Sequence, residues 1–518
     1  MRELYGKYFF WIFFALSGVM FLFVWAGFIV TPMTNDLKVF MASANQSNYI
    51  SKNLVVGSFK AWELKSVFSR MLMYLIYKIS SFFVLYDSYD FEVLSKFIYS
   101  LFIILLAYIS MKLIFQKERK RIILGTLLVS VSFMAMHTSC HMQAEMSSSM
   151  LILLAFALYL NSIISETNQV LKLLVSGMLI GATFFFKSVL ILLSITVVSA
   201  ICIYAVENGI KLSIKRMMLV AEGSLIMLFI IIVLILLINP EEFRDMMDAS
   251  TYQSTLLSSP IPIKQIVRQF VNNHLSKIIY SPIVIIGVIC FILNFCRNVQ
   301  RKNWKLILFH ITMWLMPAIF ILLSNKYFIY HFVVYIFPSL IEIYYAILHR
   351  NQIGKFVLLT SLIGVTVWYI AAFSIISTNV KKYIECDIQS YEETDDFLRK
   401  INFDKSETCL YLDDGKGAYY LGNPSYLKYF FPLPLERLDE ESTLKSHVDS
   451  LDLVMNFDGK YISVYDDWFF GEDRYQMIRA KVNSEYEYAG EYYVFSPPHS
   501  FHSSDAFVRT YELYEKKQ

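Results

Sequence analysis

Long apolar runs set the pattern of this chain. The first, YFFWIFFALSGVMFLFVWAGFIV at 8–30, exceeds the roughly 20 apolar residues that a helix needs to cross hydrocarbon. Comparable runs follow near 91–114, 122–140, 146–163, 170–186, 188–206, 218–239, 281–296, 304–323, 330–348 and 355–375. They predict eleven helical spans. Arg2 and Lys7 precede the first run, which has neither the short core nor the small-residue cleavage motif of a signal peptide. It reads as an uncleaved span with its N-terminus in the cytosol.

Basic residues then orient the spans. KERKR at 117–121, Lys211 with Lys215 and Arg216, Arg297 with Arg301, Lys302 and Lys305, and His349 with Arg350 and Lys355 all fall on one face of an eleven-span, N-in/C-out scheme. One run is treated differently. VFSRMLMYLIYKISSFFV at 67–84 carries Arg70 and Lys78, and counting it as a span would move KERKR to the outer face. It reads as an amphipathic helix lying along the outer membrane surface.

Composition supports this picture. Of the 518 residues, 56% are hydrophobic and only 17% charged, against about 25% charged in an ordinary soluble domain. A soluble enzyme, a nucleic-acid binder and a secreted disulfide scaffold are excluded. Charge divides the chain. Lys and Arg predominate before residue 376, and Asp and Glu predominate after it. The expected organisation is a transmembrane domain over 1–375, with an outer loop 31–90 carrying surface helices, and a soluble extracytoplasmic domain over 376–518.

In that tail, CLYL at 409–412 before DDGKG reads as a strand ending in a turn, with Asp413 and Asp414 as turn formers. LDLVMNF at 451–457, YISVYDDWFF and EYYVFSPP add strand candidates, and together they predict a small α/β domain. DDGKG lacks the spacing of a nucleotide-binding loop. Tyr419, Tyr420, Tyr426, Tyr429 and Trp468 could stack on sugars, but core packing is the simpler expectation. The six cysteines are scattered without a CxxC pair. They read as apolar fillers, with Cys386–Cys409 as the one candidate bridge.

Ionisable residues near a membrane are costly and each needs a reason. Asp36, in TPMTNDLKVF just past the first span, is either a helix-capping loop acid or a general base for an acceptor hydroxyl. Glu63 and Lys65, in AWELKSVFSR, suit interfacial snorkelling, or a metal for Glu63 and a phosphate for Lys65 and Arg70. His141 and Glu145 are four apart in HTSCHMQAEMSSSM, on one helix face. They can hydrogen-bond one another or share a divalent metal. Lys187, in GATFFFKSVLILL, and Lys326, in SNKYFIYHFVVY with Tyr330 and His331, both map to the outer boundary. Cations converging at that depth suit a lipid-borne phosphate. Arg268 and His274 lie in the later outer loop.

The order and placement of these groups resemble the GT-C membrane glycosyltransferases, in particular the branch of bacterial aminoarabinose transferase and protein O-mannosyltransferase. The resemblance covers roughly 8–350. It implies that Asp36 and Glu145 are the catalytic acids. It implies that Lys65, Arg70, Lys187, Arg268, Lys326, Tyr330 and His331 meet the donor. Glu63, Glu145, His141 and His274 are then the candidates for a divalent cation. WELKSVFSR has Ser66 and Val67 where the family often carries prolines, and His141 stands where many members have arginine. The implied donor is a polyprenyl-phosphate-linked sugar. The implied acceptor is a hydroxyl of a glycan, a lipid such as lipid A, a wall polymer or a protein. The implied setting is the outer face of a bacterial plasma membrane.

Three alternatives remain open at this point. A glycan polymerase or ligase would use the same lipid phosphate but usually has a large Arg- and His-rich central loop. A lipid-linked-sugar transporter should show internal repeats and mid-bilayer charges. A simple anchor for the tail leaves the first-loop acid and the buried lysines unexplained.

Overall fold

The computed structural model describes residues 2–61, 67–134, 142–186, 210–241, 282–324, 333–348, 380–427, 451–465, 473–496 and 507–517, apart from positions 87, 166 and 414, together with the isolated positions 243–244, 268, 271 and 363–364. The chain divides into two compact units. One comprises 1–29, 99–231 and 260–375, and the other comprises 30–98, 232–259 and 376–518. This division cuts across the compositional one, because the first outer loop groups with the tail.

The first unit is helical. It contains most of α1 (Arg2–Val30), the later part of α5 (Tyr89–Phe115), and α6 (Arg119–Met134), α7 (Ala144–Ile164) and α8 (Gln169–Phe184). It also holds most of α9 (Ile210–Ile238), with α10 (Pro282–Gln300), α11 (Trp304–Ser324) and α12 (Ile336–Leu348). Among the described residues, four helices are long and apolar enough to cross a membrane: Tyr89–Phe115, Ala144–Ile164, Ile214–Ile238 and Ile283–Gln300. Four shorter apolar helices are Phe14–Val30, Gln169–Phe184, Trp304–Ile319 and Val333–Ala346. The expected spans at 188–206 and 355–375 lie outside the described residues or nearly so.

Small residues bring α8 and α9 close together. A Cβ at Gly177 would stand 2.0 Å from the Val220 carbonyl oxygen, and one at Gly223 would stand 2.1 Å from that of Leu174. Ser224 Oγ donates to the Gly177 carbonyl at 2.9 Å. Gly177 and Gly181 form a G-x-x-x-G face, the arrangement that lets helix backbones approach in lipid. Gly177→Leu should therefore lower the thermal midpoint sharply, because the obstructing atom is backbone and cannot swing aside. Gly18→Leu, at a glycine with nothing within 4 Å, should not. Thermal unfolding of the two variants in detergent checks this.

A buried polar cluster joins α10, α11 and α12. His310 Nδ1 lies 2.8 Å from Glu342 Oε1. Asn294 Nδ2 donates to Glu342 Oε2 at 2.8 Å and to its carbonyl at 3.0 Å. Asn298 Nδ2 lies 3.3 Å from His310 Nε2. Such groups in apolar surroundings are tolerated because they satisfy one another.

The second unit begins with α2 (Asn35–Ile50), α3 (Leu54–Lys60) and α4 (Val67–Phe83). Asn53 caps α3, its side chain accepting from Val55 N at 3.0 Å and Val56 N at 3.1 Å. The 67–84 run is indeed a helix, and it is not among those long enough to span. It packs on α2 and α3. Val67, Met73, Tyr74, Ile76 and Tyr77 are buried, while Leu75, Ile79, Phe82 and Phe83 face outward. The helical period of 3.6 separates these two apolar faces.

The tail folds as a four-stranded sheet flanked by helices. Its elements are α13 (380–400), β1 (Cys409–Leu412), α14 (Gly417–Leu421), α15 (Leu451–Met455), β2 (Tyr461–Val464), α16 (Asp473–Glu485), β3 (Tyr486–Ser496) and β4 (Phe507–Lys516). The strand order is β1-β2-β4-β3. β1 and β2 are parallel, and the other pairs are antiparallel. The parallel pair needs a crossover, which runs through α14 and α15. One core unites Leu410, Leu412, Val454, Phe457, Ile462, Ile478 and Val482. Gly490, at φ +141°, marks a bulge in β3, where a Cβ would strike the Phe397 ring at 2.5 Å.

Two expectations for the tail are corrected. Residues 451–455 are helical: Val454 and Phe457 are buried three apart while Leu453 is exposed. A strand would have buried every second residue. Cys386 and Cys409 are both free, on α13 and β1, so no bridge joins them. The alternating FVRTYELYEK of β4 completes the sheet, an element the sequence reading passed over.

Candidate functional site

Asp36 lies in the first turn of α2, and its side chain is outside the described set. The turn itself is well defined. Thr34 is the N-cap in extended conformation, and its carbonyl accepts from Leu37 N and Lys38 N, both at 3.0 Å. The stretch TPMTNDLK thus folds as a helix start because Pro32 and Thr34 favour extended backbone before the first turn.

Lys38, two residues from Asp36, is the centre of a buried network. Its Nζ donates to Asp387 Oδ1 at 2.7 Å and to Tyr420 Oη at 2.6 Å. It also lies 3.3 Å from Glu92 Oε1. The ammonium thus makes two hydrogen bonds and an ion pair. The rings of Tyr420, Tyr391, Phe495 and Tyr419 surround the ammonium at 4.7–5.9 Å, a cation–π cage. Glu92 accepts from Tyr391 Oη and from Met33 N, each at 2.5 Å. Tyr420 Oη donates to Asp387 at 3.0 Å and accepts from Phe495 N at 3.2 Å. Lys96, one turn beyond Glu92, is also fully buried. Two buried carboxylates, Glu92 and Asp387, thus meet the single ammonium of Lys38.

Two further turns of α2 are held by the tail. Asn45 Nδ2 donates to the Gly422 carbonyl at 2.8 Å. Gln46 Oε1 accepts from Ser425 N at 3.0 Å while its Nε2 donates to the Ser425 carbonyl at 3.3 Å. The first-loop helix and the tail are thus joined within one unit.

Burial, then Glu92, pushes the Asp387 carboxyl up to about 7. Its folded pKa lies above its unfolded one, so the folded state binds the extra proton between about pH 4 and pH 7. Stability from this group is present at the acid end of that window and is lost as pH rises through it. Thermal midpoints between pH 4.5 and 7.5 should fall with a component that Asp387→Asn removes. A slope identical in the variant would contradict the assignment.

The other expected site residues fall as follows. Glu145 is buried in the first turn of α7, where the positive helix end favours a carboxylate. Arg70 is buried under α4, and its guanidinium donates to the Ala61 carbonyl at the C-terminal end of α3. Arg268 is exposed. Glu63, Lys65, His141, Lys187, His274, Lys326, Tyr330 and His331 lie outside the described residues. Among the described residues, no group of three or more His, Cys, Asp and Glu could hold a metal. Of the four candidate ligands only Glu145 lies among the described residues. Tyr419 and Tyr420 are core residues of the cage and not a sugar platform. Asp413 does form a turn, accepting from Gly415 N at 2.7 Å and from Ser463 Oγ at 2.6 Å.

An Archaeoglobus fulgidus oligosaccharyltransferase, crystallised with Zn and sulfate, matches with a TM-score of 0.42 and 12% identity, over 95% of this chain and 73% of that one. No family model matches the sequence, and no curated protein matches it.

The sequence reading missed Lys38, Glu92, Asp387, Tyr391 and Tyr420 as a group. Their only local signals were a lysine in the apolar run DLKVFM and an acid at the edge of a span. Lys38 and Asp387 are 349 residues apart, a pairing that only the fold reveals.

Proposed function

We propose that this protein is a membrane glycosyltransferase of the GT-C type. It moves a sugar from a polyprenyl-phosphate donor to a hydroxyl acceptor at the extracytoplasmic face of a bacterial plasma membrane. The observation that carries the reading is the fixed first turn of α2. The acid that follows α1 sits on a defined helix start whose neighbouring Lys38 is bonded to the tail.

In this reading the Asp36 carboxylate takes the proton of the acceptor O–H. The acceptor oxygen forms its bond to the anomeric carbon as the bond from that carbon to the phosphate oxygen breaks. The phosphate leaves with the electron pair, and its charge is met by Lys187 and Lys326, with Arg268 as a further cation. Glu145 is the second acid. One base and one displacement invert the anomeric centre, without the paired carboxylates of many soluble glycosidases. The test is incubation of the protein in lipid nanodiscs with a panel of polyprenyl-phosphate sugars and hydroxyl acceptors. Transfer with inverted configuration is expected. Retained configuration, or no transfer across the panel, defeats the mechanism.

A further inference from the structure

Asp36 is bracketed by two groups that the network immobilises. On its N-terminal side, Met33 N donates to Glu92 Oε2. On its C-terminal side, Lys38 Nζ is held by Asp387, Tyr420 and Glu92. Three of the residues that hold these two points, Asp387, Tyr391 and Tyr420, come from the tail. Tyr391 fixes Glu92 through its phenol at 2.5 Å, so it acts on Met33 and Lys38 together. Farther along α2, Asn45 and Gln46 are tied to Gly422 and Ser425.

We infer that the C-terminal domain is a positioning element for the first-loop helix, with Asp387, Tyr391 and Tyr420 setting the first turn of α2 through Lys38 and Glu92. This rests on the reading of Asp36 as the base, and it assigns the tail a role in the rate of transfer rather than in sugar binding. None of the three tail residues is required to touch substrate. Tyr391 is the most discriminating of them, because removing its hydroxyl leaves the aromatic cage and both lysine–carboxylate contacts in place. Tyr391 also stacks on Tyr420, with ring centroids 4.9 Å apart, and phenylalanine preserves that contact.

The test uses the full-length protein in nanodiscs and compares wild type with Tyr391→Phe and Asp387→Asn. Amide hydrogen exchange over residues 35–40 should speed up by at least about tenfold in both variants, while amides of β3 and β4 keep their protection. Transfer should then show a fall in kcat with an unchanged KM for the donor, the pattern of lost positioning rather than lost binding. Unchanged exchange at 35–40 overturns the proposal. So does loss of protection throughout the sheet in Tyr391→Phe, since that would make the network a general structural lock. A positive exchange result with a wild type inactive on every donor would instead sink the transferase reading and leave the mechanical coupling standing.

Discussion

Asp36→Asn should abolish transfer, lowering kcat by about 10²- to 10⁴-fold, the usual worth of a positioned general base. The substitution keeps the size of the side chain and removes only its ability to take a proton. α2 should form as before, because its start is held by the Thr34 carbonyl and by the contacts of Met33 and Lys38. The thermal midpoint is therefore expected to stay close to that of wild type. Donor KM should also change little, since the phosphate is met by other groups. A variant that retains full kcat would remove Asp36 from its role whatever else the protein does. A variant that loses activity and stability together would point to a structural acid.

Lys38→Met should be the most damaging single change in the second unit. It leaves Glu92 and Asp387 buried without the ammonium that neutralises them, and Tyr420 without one of its donors. Breaking a buried pair by deleting one partner typically costs about 3–5 kcal/mol. Part of that loss is recoverable, because Asp387 is already pushed toward its neutral form by burial and by Glu92. Lys38→Met combined with Asp387→Leu should accordingly be more stable than Lys38→Met alone. The two residues are in contact, so the cycle should show a coupling rather than additive losses. Thermal or denaturant unfolding of the four proteins measures it. Additivity would mean that the 2.7 Å contact contributes little.

Part of the fold was legible in the sequence: the expected spans near 91–114, 146–163, 218–239 and 281–296 coincide with described helices long and apolar enough to cross a membrane. A span of some 20 apolar residues can do little else than cross a membrane as a helix. The 67–84 run is instructive because length alone would have made it a span. Its two charges argued otherwise, and the structure packs it beside α2 and α3. Short amphipathic segments were less readable. LDLVMNF has both a two-residue and a three-residue apolar spacing, and its contacts with Phe457 and the sheet decide for the helix. β4 was passed over because FVRTYELYEK alternates polar residues with aromatic ones and reads as a solvated stretch until β2 and β3 pair with it.

For the candidate site, the sequence located Asp36 but not what holds it. Lys38, Glu92 and Asp387 carry no local pattern that sets them apart in the sequence. Each is unremarkable alone, and burial of all three at 0% exposure is a property of their assembly. For Arg70, the sequence suggested a phosphate contact and could not show the hydrogen bond of its buried guanidinium to the Ala61 carbonyl.

The sidedness of the second unit tests the central claim most directly. Single cysteines at Lys52 and Glu407, both exposed, can be introduced into a cysteine-free background and probed in intact cells with a membrane-impermeant thiol reagent. Both positions should be labelled without lysis. Labelling of only one of them would break the joining of first loop and tail, and labelling of both only after lysis would put Asp36 in the cytosol, away from any outward-facing sugar transfer.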